Sequence, residues 1–269
     1  MKLSTFNTLT LNDLAEMKQR GEKISCLTAY DSSFSALIDS IGIDVILVGD
    51  SLGMAIQGQK TTLPVTLTDM IYHSRCVSSS AERAFIIADL PFMTYPTPTT
   101  AAENAARLVQ EGGVHMIKLE GAKTDIIRFI SEQGIPVCGH LGLLPQHINR
   151  IGRYTVQGKT PIDAKTILAD AQSVQQAGAS LLILECVPCE LAKTISQQLT
   201  IPVIGIGAGP DCDGQVLVLY DMLNIGIHKL PRFAKDFLAE TGSIKAAILA
   251  YHQEVKQSLF PTLSHSFQN

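Results

Sequence analysis

Four carboxylates of this 269-residue chain share one setting: Asp50, Asp89, Glu120 and Glu185 each stand at or just after the last residue of a short apolar run, VILVGD, FIIAD, HMIKLE and LLILE. Runs of this kind, flanked by Gly and Pro and separated by helical patterns, read as buried parallel strands. In a closed parallel barrel the C-terminal ends of all strands open onto one face, so acids far apart in the chain meet in one mouth. Two carboxylates about 4 Å apart repel by roughly 4 kcal/mol at an effective dielectric of 20. Three in one pocket therefore need protons or a cation. A divalent cation is the simpler solution, and all-oxygen ligands point to Mg²⁺, with Mn²⁺ or Co²⁺ as substitutes. Mg²⁺ retains several waters and takes one or two protein carboxylates directly, which assigns Asp50 and Asp89 as direct ligands and Glu120 as a water-mediated one. The plainer reading is that each acid caps the helix after its strand.

Lys118 lies two residues before Glu120 and shares its facing, because strand side chains alternate. Its ammonium could anchor a substrate carboxylate or form a buried ion pair. Ser51, directly after Asp50, offers a hydroxyl and a backbone N–H to an anionic oxygen. Glu185 differs from the other acids: apolar and small residues precede it, and Cys186, Val187 and Pro188 follow. Desolvation there raises a carboxyl pKa, which suits a general base near neutral pH. His140, ending the run IPVCGH, could donate a hydrogen bond, relay protons or serve structure alone. Two weaker signals are the lone C-x-x-C of Cys186 and Cys189, read as a helix start and not as a zinc or redox site, and GIGAG (205–209), either a phosphate cradle or a tightly packed turn.

The elements that must position these residues alternate strand and helix along the chain. Residues 10–20 form an opening helix that closes the barrel bottom, and strands follow at 24–31, 44–50, 84–92, 114–121, 135–140, 180–187, 201–209 and in the run QVLVLYDML. This predicts a (β/α)8 TIM barrel with an N-terminal capping helix and extra C-terminal helices, as one domain over residues 1–269. Two long loops, SLGMAIQGQKTTLPV and LGLLPQHINRIGRYTVQGKT, should lie over the mouth. The tail SLFPTLSHSFQN lacks periodicity and is expected to be loose, or ordered only against a neighbouring subunit. With Lys+Arg 21 against Asp+Glu 25 and no basic block, a nucleic-acid or anionic-membrane surface has no support. No signal peptide or membrane-spanning run is evident, which leads to a cytoplasmic expectation. The six cysteines, mostly within apolar runs, are expected to be reduced and buried.

The segments LTAYD, VGDSLGM, TLPVT, ADLPFM, KLEG, PVCGHLGLLPQ, LECVP and PVIGIGAG, in this order, resemble the ketopantoate (3-methyl-2-oxobutanoate) hydroxymethyltransferase family over nearly the whole chain. The resemblance implies hydroxymethyl transfer from 5,10-methylenetetrahydrofolate, a co-substrate, to 3-methyl-2-oxobutanoate, giving 2-dehydropantoate for coenzyme A synthesis. It also implies one Mg²⁺ per subunit at Asp50, Asp89 and Glu120, the 2-oxo acid held by Ser51 and Lys118, Glu185 as proton acceptor, and a homodecamer built as a pentamer of dimers. Two departures stand outside the metal set: Lys60, where an acid is expected, and the opening of NIGIHKLPRFAK. The rival enzymatic reading is another Mg²⁺-dependent barrel acting on 2-oxo acids, a lyase or mutase of the phosphoenolpyruvate-utilising type. The non-enzymatic rival is a barrel retained as a binding module, for which clustered buried charges have no physical use.

Overall fold

The structure, a computed structural model, describes residues 8–227 and 229–268. Residues 1–7, part of the opening stretch in which no signal peptide is evident, His228 of NIGIHKLPRFAK and Asn269 of the tail lie outside the described residues. Among the described residues eight strands form the sheet: β1 Ile24–Thr28, β2 Val45–Val48, β3 Phe85–Asp89, β4 Met116–Glu120, β5 Val137–Gly142, β6 Leu181–Glu185, β7 Val203–Ile206 and β8 Gly214–Leu217. Each pairs in parallel with its sequence neighbours, and β8 closes onto β1. This is the (β/α)8 barrel. The strands are buried almost throughout, since one face fills the barrel and the other lies under helices.

Local sequence sets where the helices begin. Reciprocal capping boxes, Thr10 with Asp13 and Thr66 with Asp69, open the helices Leu11–Gln19 and Leu67–Ser78. The Asp31 carboxylate accepts the Ser33 and Phe34 N–H groups, and Thr97 and Thr160 cap helices that start with Pro98 and Pro161. The opening helix Leu11–Gln19 buries Leu14 and Met17. Its Lys18 ammonium reaches Asp213 Oδ2 at 2.7 Å and the Ser196 carbonyl at 2.8 Å, both at the N-terminal end of the barrel, so this helix does close the bottom.

Three expectations change. The run QVLVLYDML is not one strand: β8 ends at Leu217, the Leu219 N–H turns to the Thr28 hydroxyl at 3.1 Å, and Leu219–Met222 is a helical turn. A four-residue strand already reaches the barrel rim, so the remaining apolar residues pack under it. The tail is docked on its own barrel. Phe260, 3% exposed, packs edge-on against Phe237 and Tyr251, and Ser266 is fully buried with its hydroxyl donating to the Thr262 carbonyl at 2.8 Å. Isolated aromatic anchors hold this segment, and a search for periodicity passes over them. The six cysteines are free thiols, five of them buried, but only Cys26 and Cys138 lie in strands. Among the described residues no helix is long and apolar enough to cross a membrane.

The C-terminal helix Ile244–Lys256 covers the seam where β8 meets β1. Its buried Tyr251 hydroxyl lies 2.8 Å from the Cys26 carbonyl and 2.9 Å from that of Gln215. Tyr251→Phe withdraws a buried donor from two strand carbonyls, and is expected to cost about 1–3 kcal/mol. A lower urea midpoint at unchanged m-value is the readout; an unmoved midpoint would show that the seam does not need the hydroxyl.

Candidate active site

At the C-terminal ends of the strands lies a cavity of about 540 Å³ whose walls include Asp50, Ser51, Asp89, Lys118, Glu120, His140 and Glu185. The barrel therefore brings together every residue singled out for chemistry. None of the four strand-end acids caps a helix: the helices that follow have Ser51, Thr97, Lys123 and Pro188 at their N-caps, and none of these four caps is a strand-end acid. The plainer reading of these acids falls.

Strand register sets the geometry. Asp89 and Lys118 are direct partners across β3 and β4, and the ammonium donates to Asp89 Oδ1 at 2.8 Å. The other oxygen, Oδ2, accepts the Asp50 N–H at 3.1 Å, which fixes the β2 end against β3. Glu120 faces His140 across β4 and β5, and Glu185 pairs with Gly142 of β5 and Ile206 of β7. The His140 ring stands between two acids, with Nδ1 3.7 Å from Glu120 and Nε2 3.3 Å from Glu185. Neither ring nitrogen makes a hydrogen bond. His140 was expected at the end of its strand; β5 runs two residues further, so the ring sits inside the mouth. The Ser51 hydroxyl is 2.8 Å from that of Tyr30.

Gly142 lets β5 approach Glu185. Its φ is +92°, and a Cβ there would fall 2.2 Å from the Glu185 carbonyl oxygen, which accepts the Leu143 N–H at 2.8 Å. Cys186, next to Glu185, has φ 48°, a conformation that costs a non-glycine residue on the order of 1–3 kcal/mol. Its N–H donates to the Ile206 carbonyl and its carbonyl accepts the Gln157 N–H, each at 2.9 Å. The backbone on both sides of Glu185 is thus held by neighbouring segments.

At the strand ends four carboxyl groups, those of Asp50, Asp89, Glu120 and Glu185, gather around the Lys118 ammonium, while Asp221, Lys159 and Arg232 line the cavity elsewhere. Burial, reinforced by the Asp89 charge, pushes Asp50 up to about 7. Burial and then the Asp50 charge push Glu120 well above the usual carboxylate range. Glu185 is raised to about 7 by burial, with Lys118 pulling the other way. Burial opposes the Lys118 ammonium, but Asp89, Asp50 and Glu120 outweigh it and hold the proton more tightly than usual. His140 is pushed well down by burial and by Lys118, and stands as a neutral imidazole.

This excess of buried acid and the orphaned His140 nitrogens fit a site completed by a ligand. The oxygen donors of Asp50, Asp89 and Glu120 suit a hard divalent cation. Among the described residues no three His, Cys, Asp or Glu side chains are grouped so that together they could hold a metal ion. A Mg²⁺-type site, which leaves most positions to water and substrate oxygens, needs no such grouping. Cys186 and Cys189 remain free thiols. GIGAG is packed and offers no cradle: a Cβ at Gly207 would meet Phe233 and Phe267 at 3.1 Å, and one at Gly209 would meet Cys189 at 2.5 Å.

Sequence reasoning missed Gln146. Its side-chain amide donates to Asp50 Oδ2 at 2.9 Å and to the Leu90 carbonyl at 3.0 Å, its backbone N–H donates to Glu120 Oε2 at 3.1 Å, and the Tyr95 hydroxyl donates to its side-chain oxygen. One residue thereby ties together the ends of β2, β3 and β4. It is the first polar residue in the apolar stretch LGLLPQ, the signal that could have found it. Both long loops do reach the mouth: Met54 and Thr62 from one, Tyr154 and Lys159 from the other, with the Tyr154 hydroxyl 3.7 Å from the Met54 sulfur. Lys60 is exposed and not part of the cavity wall.

By fold, this is a barrel of the kind found in the phosphoenolpyruvate mutase and isocitrate lyase group. The chain superposes on phosphoenolpyruvate phosphomutase from Streptomyces platensis with a TM-score of 0.61 at 12% identity, over 80% of this chain and 83% of that one. It superposes on 2,3-dimethylmalate lyase, a member of that superfamily, with a TM-score of 0.53 at 17% identity, over 72% and 70%. At these identities the likeness concerns the fold alone. The chain belongs to the ketopantoate hydroxymethyltransferase family, whose sequence model matches residues 8–263. It is 56% identical to 3-methyl-2-oxobutanoate hydroxymethyltransferase of Methylococcus capsulatus, over 96% of this chain and 97% of the relative. With the enzyme of that name from Nitrosococcus oceani it shares 55% identity, over 96% and 99%. The transferase resemblance thus holds over the lyase, mutase and binding-module readings.

Glu185 is expected to titrate near 7. A ¹³C-carboxyl NMR titration, with Glu185→Gln to assign the resonance, measures it directly. A midpoint in the ordinary range, about 4.3, would show that solvent reaches the group freely.

Proposed function

We propose that this chain transfers a hydroxymethyl group from 5,10-methylenetetrahydrofolate to 3-methyl-2-oxobutanoate, giving 2-dehydropantoate, with Glu185 as general base. The observation that carries the reading is the convergence in one cavity of Glu185, a carboxyl raised to about 7 among apolar neighbours, and, across the mouth, the oxygen donors of Asp50, Asp89 and Glu120 beside the Lys118 ammonium. A 2-oxo acid needs both, a place for its two anionic oxygens and a base for its C3 proton. Family membership at more than half identity over nearly the full length supports the same reaction.

In this reading Asp50 and Asp89 hold one Mg²⁺ per subunit, with Glu120 acting through water. Bound there, the cation would supply Lewis acidity toward the 2-oxo group and so acidify C3–H. The Lys118 ammonium and the Ser51 hydroxyl orient the substrate's carboxylate and oxo oxygens. Glu185, ionised above about 7, accepts the C3 proton. The electron pair left at C3 forms the new carbon–carbon bond with the donor's methylene group, water provides the hydroxyl, and tetrahydrofolate leaves. Neutral His140, beside both Glu120 and Glu185, positions the base and offers its N–H to whichever carboxyl is charged. We place this chemistry in the cytoplasm, in one barrel domain. For the assembly of copies of the chain, a decamer is the proposed form, as the family resemblance implies.

Deuterium exchange at C3 of 3-methyl-2-oxobutanoate, followed by NMR, tests the proposal. Exchange should require Mg²⁺, stop with EDTA, and rise with pH through about 7, since a raised carboxyl pKa leaves the base protonated below that value. Glu185→Gln should abolish exchange while keeping the Mg²⁺-dependent thermal shift given by the 2-oxo acid; Asp89→Asn should lose both. If Glu185→Gln loses binding as well, the base assignment fails. Gln146→Ala removes the tie between Asp50 and Glu120, and should weaken apparent Mg²⁺ affinity about 10–100-fold in the same thermal-shift titration. An unmoved titration curve would detach Gln146 from the metal.

A further inference from the structure

We infer that Phe267 of the C-terminal tail, together with Phe233 and Arg232, forms the wall against which the ring system of the one-carbon donor stacks; this rests on the hydroxymethyl-transfer reading above. All three residues line the catalytic cavity, although two are more than thirty residues away from the third in the chain. Both rings meet at one point: a Cβ on Gly207 would lie 3.1 Å from Phe233 Cδ1 and 3.1 Å from Phe267 Cε2. Gly207 directly follows Ile206, the register partner of Glu185. The wall therefore flanks the base and lies on the side of the mouth away from Asp89 and Lys118, which belong to β3 and β4.

The tail is held there by specific contacts. The Phe267 carbonyl accepts the Cys189 N–H at 2.9 Å, four residues beyond Glu185. The Arg232 guanidinium stands over the Phe267 ring, 5.5 Å from its centroid, and its Nε donates to the Ser264 carbonyl at 3.4 Å. Guanidinium and ring thus brace one another at the cavity rim.

The chemistry of the two substrates decides which of them uses this wall. A branched five-carbon 2-oxo acid is small, and its polar end is served by Lys118, Ser51 and the carboxylates. It fills a minor part of a 540 Å³ cavity. The donor carries its reactive carbon on a flat, partly aromatic bicyclic ring joined to an aminobenzoyl group, and its outer end bears glutamate carboxylates. Such a molecule needs an aromatic face near the base, so that its methylene carbon lies over C3 as the proton leaves. It also needs cations at the rim, where Arg232 and Lys159 stand.

Three measurements on the full chain test this assignment. In Phe267→Ala, KM for 5,10-methylenetetrahydrofolate should rise about 10- to 100-fold, the scale of one lost stacking contact. KM for 3-methyl-2-oxobutanoate and the donor-free C3 exchange rate should stay near wild type, and Phe267→Tyr should restore most of the donor affinity. Titration of tetrahydrofolate by isothermal calorimetry should show the same loss without turnover. An unchanged donor KM and tetrahydrofolate affinity overturns the assignment. So does a Phe267→Ala variant in which exchange and both KM values worsen together, because a purely structural role predicts that pattern. Should wild-type protein exchange C3 and bind tetrahydrofolate through Phe267 yet transfer no carbon, the transfer reading fails and the wall stands.

Discussion

Everything at the mouth of this barrel follows from burying four carboxyl groups with a single ammonium. Lys118 neutralises Asp89 at 2.8 Å, and that pair alone would be an ordinary buried salt bridge. Asp50, Glu120 and Glu185 remain, and the low dielectric around them turns each surplus charge into a tendency to bind protons. The fold can tolerate this because the strand ends are fixed by β-sheet register and by Gln146, so the acids cannot swing out to solvent. A group of charges held at its own expense by a rigid scaffold is one preorganised for something that will complete it.

The division of labour among the acids comes from their surroundings. The Asp50 N–H donates to the Asp89 carboxylate, and both acids share the influence of Lys118. Glu185 sits across the barrel on β6, touched by a neutral imidazole and flanked by apolar residues. The same functional group thus stands in two settings, beside an ammonium at Asp89 and among apolar residues and a neutral imidazole at Glu185. His140 lies between the two settings and separates Glu120 from Glu185.

Much of this was legible in the sequence because parallel barrel strands are continuous apolar runs, and a charged residue at the end of such a run has only one place to go. That logic located Asp50, Asp89, Glu120 and Glu185 without coordinates. It did not find Gln146 or Tyr95, which stand on irregular segments whose course depends on packing and not on periodicity. It overran the strands at their C-terminal ends, as at Tyr30 and in QVLVLYDML, where apolar residues continue after the ladder has stopped. It left the tail unplaced because Phe260, Ser266 and Phe267 act singly, each by filling one site on the finished barrel. Pattern reveals what repeats, and the wall beside Glu185 is built from residues that do not.

Gly142 places a limit on how such a protein can diversify. With the Glu185 carbonyl 2.2 Å from where a Cβ would stand, position 142 has no tolerated neighbour in sequence space, and the main chain of β5 and β6 near the base must be inherited as one piece. The segments around Met54 and Tyr154 carry no such lock. Descendants of this barrel are free to change what they accept, through those loops, long before they can move the backbone that carries Glu185.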